Sequence, residues 1–251
     1  ITTPCIDSGD SAVHIKTIVK NDTNEAEDIE VEAIIKDASG NAVTTGLKKM
    51  SLKNNGKSEC EFDTGEVKDV KLWCVDEPNL YTAEIRIRNG NKYTDVTSER
   101  FGFRWFEFTN TDDESAFYIN GKKMKLSGIN RHEQWPWIGR AANDKLQASD
   151  ADLIKETGLN AVRCSHYPQS KSFLERCDEI GLIVFEEAPG WQDIGNDTWK
   201  EVYIENVKEM ISRDKNHPSI ISWGVRVNES YDDHDLYEKT NSIAREMDST
   251  R

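Results

Sequence analysis

The chain has 251 residues, 32 of them basic and 46 acidic, which gives a formal net charge of −14. A field of that sign repels phosphate backbones and argues against a nucleic-acid binder. No apolar run approaches the ~20 residues needed to cross a bilayer, and the length suits one large domain or two.

The first ten residues, ITTPCIDSGD, have neither a basic head nor an apolar stretch. They read as the start of a processed or excised piece rather than as a signal peptide, so a cytoplasmic or periplasmic address for a soluble parent stays open. Cys5, Cys60, Cys74, Cys164 and Cys177 are odd in number and irregularly spaced, with no CxxC pair or Cys/His cluster of the kind that binds zinc. They read as free, mostly buried thiols, with one disulfide among Cys5, Cys60 and Cys74 as the alternative.

Residues 1 to about 105 carry period-two patterns. Val13, Ile15, Thr17 and Val19 share one face of a first strand, and Ile29, Val31, Ala33 and Ile35 one face of a second. Asp37–Asn41 turns the chain, and Ala83, Ile85 and Ile87 alternate ahead of an Asn89-Gly90-Asn91 hairpin turn. Several short strands at this spacing predict an immunoglobulin-like β-sandwich.

The pattern changes after Phe108. Asn110–Glu114 reads as a polar linker, and Phe117–Ile119 with Asn120-Gly121 as a tight hairpin. Strands then alternate with helices: Met124–Ile129, a helix over 144–157 capped by Asn143, Asn160–Cys164, a helix over 170–180 stopped by Gly181, Leu182–Glu186, a helix over 198–214, Ser219–Trp223 and a helix over 236–247. Four β/α units in series predict a parallel sheet covered by helices. They amount to half of an eight-stranded barrel, which typically takes roughly 250 residues. The expected organisation is therefore a β-sandwich over 1–109 followed by the first four β/α units of a TIM barrel over 110–251.

In such barrels the reactive groups sit at the C-terminal strand ends. Those ends read Asn130-Arg131-His132-Glu133, Arg163-Cys164-Ser165-His166, Glu186-Glu187-Ala188-Pro189-Gly190-Trp191 and Trp223 through Asn228-Glu229. Four polar and aromatic rims in register predict an active site.

The stretches GINRHE (128–133), NAVRCSHYP (160–168) and NHPSIISWGVRVNES (216–230) resemble glycoside hydrolase family 2, most closely its β-galactosidases, as do LWCVDEPNLYTAEIRI (72–87) and ERFGFR (99–104). The resemblance implies a retaining glycosidase. Glu229 takes the place of the general acid/base, a carboxyl whose pKa burial or a neighbouring carboxylate would have to raise. Asn228 takes that of the residue bonding the sugar 2-hydroxyl, and His132 and His166 those of sugar-binding histidines. Arg163 takes that of the arginine supporting the nucleophile. Trp191 would offer an aromatic face to a sugar, with packing over the barrel mouth as the alternative.

Some β-galactosidases bind magnesium after the third strand; Pro189–Ile194 lacks that Glu and His, so no metal or other cofactor is implied. The family's nucleophile, on the seventh strand, has no counterpart in these residues, so the piece by itself is expected to be inactive. The implied substrate is an oligosaccharide or β-galactoside, acted on by a homo-oligomeric parent. β-Glucuronidase, β-mannosidase and a non-catalytic carbohydrate-binding module stay open as alternatives. Open strand edges in half a barrel predict self-association or partial disorder, because Leu126, Val162, Ile183, Val184 and Ile221 would lack an opposing layer.

Overall fold

A computed structural model describes residues 1–4, 6, 9–110 and 115–251. Cys5 and linker residues 111–114 lie outside the described residues. Two compact units are present, Ile1–Trp73 with Asn79–Trp105 and Cys74–Pro78 with Phe106–Arg251.

The first unit contains β1 (His14–Lys20), β2 (Glu27–Lys36), β3 (Ala42–Leu52), β4 (Lys57–Asp63), β5 (Tyr81–Asn89) and β6 (Lys92–Phe101). They form a four-stranded antiparallel sheet in the order β3-β2-β5-β6 and a β1-β4 pair. Ala33 faces Ile85 and Ile35 faces Ala83 across β2 and β5. Val13 and Ile15, at the start of the β1-β4 sheet, join these residues, Tyr81, Phe101 and Phe103 in one core. Tyr81 meets Phe103 edge-on at 4.8 Å. Two sheets sharing one apolar layer make the expected sandwich. The β5–β6 hairpin turns at Gly90, whose φ of +56° suits its position in a two-residue loop. Strands β3 and β6 are the edges and expose most of their side chains.

The second unit begins with an antiparallel meander, β7 (Phe106–Asn110), β8 (Ser115–Ile119) and β9 (Lys122–Met124). The division after residue 109 thus falls inside β7, which pairs with β8. Asn120 and Gly121 both have positive φ, +50° and +76°, as the two-residue turn requires. Four β/α units follow: β10 (Gly128–Arg131), α1 (Asp144–Glu156), β11 (Ala161–Cys164), α2 (Lys171–Ile180), β12 (Ile183–Glu187), α3 (Asp197–Asp214), β13 (Ile220–Gly224) and α4 (His234–Met247). The strands lie in parallel order β10-β11-β12-β13, a partial α/β barrel. The strand expected over Met124–Ile129 is corrected: Lys125–Ser127 are irregular, and the barrel strand starts at Gly128.

Side-chain caps start the helices where the sequence places them. Asn143 accepts from Leu146 N, Ser170 from Phe173 N and Asn196 from Trp199 N. Gly158 and Gly181 end the first two helices at φ +85° and +71°. A Cβ on Gly158 would meet open space, whereas one on Gly181 would run into the Val75 carbonyl. Gly158→Ala should therefore cost only the left-handed penalty of about 1–2 kcal/mol. Gly181→Ala should cost clearly more; equal melting shifts for the two variants would refute the close approach.

Helices α1 and α2 cover Val162, Cys164, Val184 and Ile220 through Ala151, Ile154, Phe173, Leu174 and Cys177. Helices α3 and α4 pack Tyr203, Val207, Ile211, Leu236 and Ala244 into a second cluster. The expectation that five apolar side chains lack a covering layer is corrected for four: Val162, Ile183, Val184 and Ile221 are buried, and Leu126 alone of them is exposed. Alternation turns Val162 and Val184 toward the helices instead of the barrel interior. Cys60, Cys164 and Cys177 are buried free thiols and Cys74 a half-buried one, so Cys60 and Cys74 do not bridge. Burial pushes the Cys164 and Cys177 thiols up. No helix among the described residues is long and apolar enough to cross a membrane.

Candidate active site

Strand register decides which polar residues meet. Arg163 of β11 pairs with Asn130 of β10 and Phe185 of β12, and Glu187 pairs with Gly224 of β13. Val162, Cys164 and Val184 point to the helices. By alternation Arg163 and Glu187 point the other way, into the space a barrel encloses.

There they form one network. Glu187 is buried and accepts Arg163 Nε on Oε1, while His166 Nδ1 lies 2.8 Å from its Oε2. Arg163 Nη2 donates to Asn228 Oδ1 at 2.8 Å. One carboxylate and one guanidinium thus tie together the ends of β11, β12 and β13. The His132 and His166 rings meet edge to face at 5.4 Å, which brings in the end of β10. Tyr167 and Glu133 join the same two loops, since Tyr167 Oη accepts from Glu133 N at 2.8 Å. Glu133 Oε1 then accepts from Ser170 N at 2.6 Å, ahead of α2.

Glu229 projects beside this network, exposed, from a backbone at φ +58°. Its Oε2 accepts from Trp191 Nε1 at 3.0 Å and from Gln192 Nε2 at 3.3 Å. The indole N–H first, then the Gln192 amide, holds the Glu229 carboxyl below its ordinary value. Among the described residues burial raises the Glu229 carboxyl less than these donors lower it, and no neighbouring carboxylate among them raises it. Trp191 is 60% exposed, so its ring stays open while its N–H is engaged. Trp191 also borders a groove of about 380 Å³ with Trp199 and Tyr203.

All six candidates, His132, Arg163, His166, Trp191, Asn228 and Glu229, therefore lie at the C-terminal ends of the four strands. Two functional-site neighbours were not singled out beforehand. Glu187 was named only as part of the third strand end; lying three residues from Val184, it falls on the opposite face. Gln192 carried no signal; its bond depends on two loops meeting.

Arg131 departs from the rim it was expected to join. It pairs with Cys164, so it points outward, where it is 4% exposed. Its guanidinium donates to Gln147 Oε1 at 2.8 Å, to Asp150 Oδ2 at 2.9 Å and to Gln169 Oε1. It also stacks 4.0 Å over Phe173. Arg131 is a structural cation.

Glu186 also faces outward and is fully buried against Asp214, with Arg213 Nη2 3.5 Å from its Oε1. Burial, then the Asp214 charge, pushes the Glu186 carboxyl well up, so the folded state holds a proton that the unfolded chain releases. With a raised folded pKa, the stability contributed by Glu186 is fully present below the unfolded carboxylate range and is lost as pH rises toward Glu186's own. Glu186→Gln should flatten that decline; a melting-temperature profile against pH as steep as the parent's would refute the raised Glu186.

Residues 1–104 match the family model described as "Glycosyl hydrolases family 2", and residues 111–251 match "Glycosyl hydrolases family 2, TIM barrel domain". A β-galactosidase of Thermoanaerobacterium thermosulfurigenes is 51% identical over 196 residues, 78% of this chain and 27% of that protein. One from Thermoanaerobacter pseudethanolicus is 52% identical over 180 residues, 71% of this chain and 24% of that one. The crystal structure of a Bacteroides uniformis β-glucuronidase superposes with a TM-score of 0.92 at 32% identity, covering 100% of this chain and 32% of its own. The chain thus spans about a quarter to a third of the length of these relatives. With both of its parts matching models of one family, and with that family's relatives more than half identical over most of its length, the chain belongs to glycosyl hydrolases family 2.

Proposed function

We propose that the whole protein hydrolyses terminal β-glycosidic bonds, with β-galactosides as the substrates, by a retaining double displacement. The observation that carries this is the convergence of Asn228, Arg163, Glu187 and His166 in one bonded network beside the projecting carboxylate of Glu229. Glu229 gives a proton to the glycosidic oxygen as the leaving group departs, then takes one from the water that releases the sugar. Its partner carboxylate, which attacks the anomeric carbon, would stand roughly 5–5.5 Å away in a retaining enzyme. Arg163, bonded to Glu187 and Asn228, presents a fixed positive charge to that partner. Asn228 meets the sugar 2-hydroxyl, His132 and His166 line the same sugar, and the exposed ring of Trp191 bounds it.

In the same reading, 1–109 is a sandwich domain, 110–251 is the first half of the barrel domain, and the whole protein acts on oligosaccharides or β-galactosides as a homo-oligomer. Light scattering of the whole protein tests the last point. β-Glucuronidase is the second reading, favoured by the superposition with the Bacteroides uniformis enzyme. A release assay with galactoside, glucuronide and mannoside substrates separates them. Galactoside turnover is expected; glucuronide turnover without it would overturn the choice.

A further inference from the structure

We infer that Trp191 and Gln192 are positioning residues that grip the catalytic carboxylate by one oxygen and reserve the other for the substrate. The inference rests on the reading of Glu229 as the acid/base. Both N–H groups, Trp191 Nε1 at 3.0 Å and Gln192 Nε2 at 3.3 Å, converge on Oε2. An oxygen accepting from two donors is a poor place for a proton, so the proton delivered to the leaving group resides on Oε1. The same two bonds favour the carboxylate over the neutral acid, which suits the water-activating half of the reaction and opposes the proton-donating half.

The grip is built into the backbone. Gln192 N donates to Asn228 O at 2.7 Å, and Gly190 N donates to His166 O at 3.1 Å. Trp191 and Asn228 form a parallel bridge. Gln192 at φ +65° and Glu229 at φ +58° both occupy the left-handed region that residues other than glycine seldom adopt. Two such residues facing each other across one bridge are the kind of strain that persists when a site requires it. Gly190 lies against Val227, so the loop after β12 is seated on the one after β13. Asn228 also bonds the Glu229 carboxyl, and the titratable side chain acting on it is His166, on the loop after β11; one step further are Arg163 and Glu187, which reach it through Asn228 and His166. None of them is removed by the variants below.

Trp191→Phe keeps an aromatic face and deletes the N–H; Gln192→Leu deletes the amide at similar size. In the whole protein, each should move the alkaline limb of kcat/KM to higher pH for a substrate with a poor leaving group, and the double variant should move it further. Gln192→Glu, which sets a carboxylate beside Glu229, should move it further than Gln192→Leu. Variants that lower turnover equally at every pH, or leave the profile where it was, would overturn the inference. A raised KM with an unmoved limb in Trp191→Phe would do the same. Glu229→Gln separates this from the underlying reading. If that variant loses poor and good leaving groups equally, with glycosylation limiting in each, the acid/base assignment itself fails. If it shows the differential loss while the Trp191 and Gln192 variants keep the parent limb, only the grip fails.

Discussion

Glu229→Gln in the whole protein should lower turnover of substrates with poor leaving groups by about 10²–10⁴-fold, the range a positioned general acid contributes. Substrates whose leaving groups need no proton should lose much less in the glycosylation step. The fold should be untouched. Glu229 is exposed, and the glutamine oxygen can still accept from Trp191 and Gln192 at the same backbone angle. Steady-state rates against leaving-group pKa, with circular dichroism as the control, check both parts. Equal losses across the series would remove Glu229 from the acid role.

Phe173→Ala should be the most damaging of the packing changes. Phe173 is fully buried among Ala151, Ile154, Val162, Cys164 and Leu174, so truncation leaves a cavity that α1 and α2 cannot close without breaking their contact. A loss of about 3–5 kcal/mol is expected for such a site. The Arg131 guanidinium 4.0 Å above the ring would also lose its stacking face while staying buried. At roughly 2–4 °C per kcal/mol for a domain of this size, the transition should fall by about 6–20 °C. Ile18→Ala, at a side chain 58% exposed in β1, should change stability by less than about 0.5 kcal/mol. Calorimetry of both variants tests the contrast, and a shift at Phe173 no larger than at Ile18 would refute it.

Where local rules suffice, the sequence was legible. The cap at Asn143, the glycine at 181 and the turn at Asn120-Gly121 act within a few residues, so local sequence located the helices and the hairpin they bound. The alternation of Ile29, Val31, Ala33 and Ile35 marked β2 because that strand is central, with one face buried. Edge strands β3 and β6 lack that asymmetry. The run Met124–Ile129 misled because Met124 ends β9 and Ile129 lies in β10, with Leu126 in the irregular residues between them.

The sequence by itself determined the order of elements, the family and the set of side chains brought to four strand ends, because each follows from residue type and spacing. Only the tertiary structure decided what those side chains do to one another. Arg131 and His132 are neighbours in the chain, yet pairing with Cys164 sends Arg131 into a buried network and leaves His132 against His166. Glu186 and Glu187 are equally adjacent. One is pressed against Asp214, where desolvation keeps its proton, while the other lies between Arg163 and His166. The state of Glu229 was set the same way, by two N–H donors on a loop 37 and 38 residues earlier in the chain. Periodicity reports which face a side chain takes, but the charge it carries depends on what the opposing loop places within hydrogen-bonding distance, and that is settled only when the strands are in register.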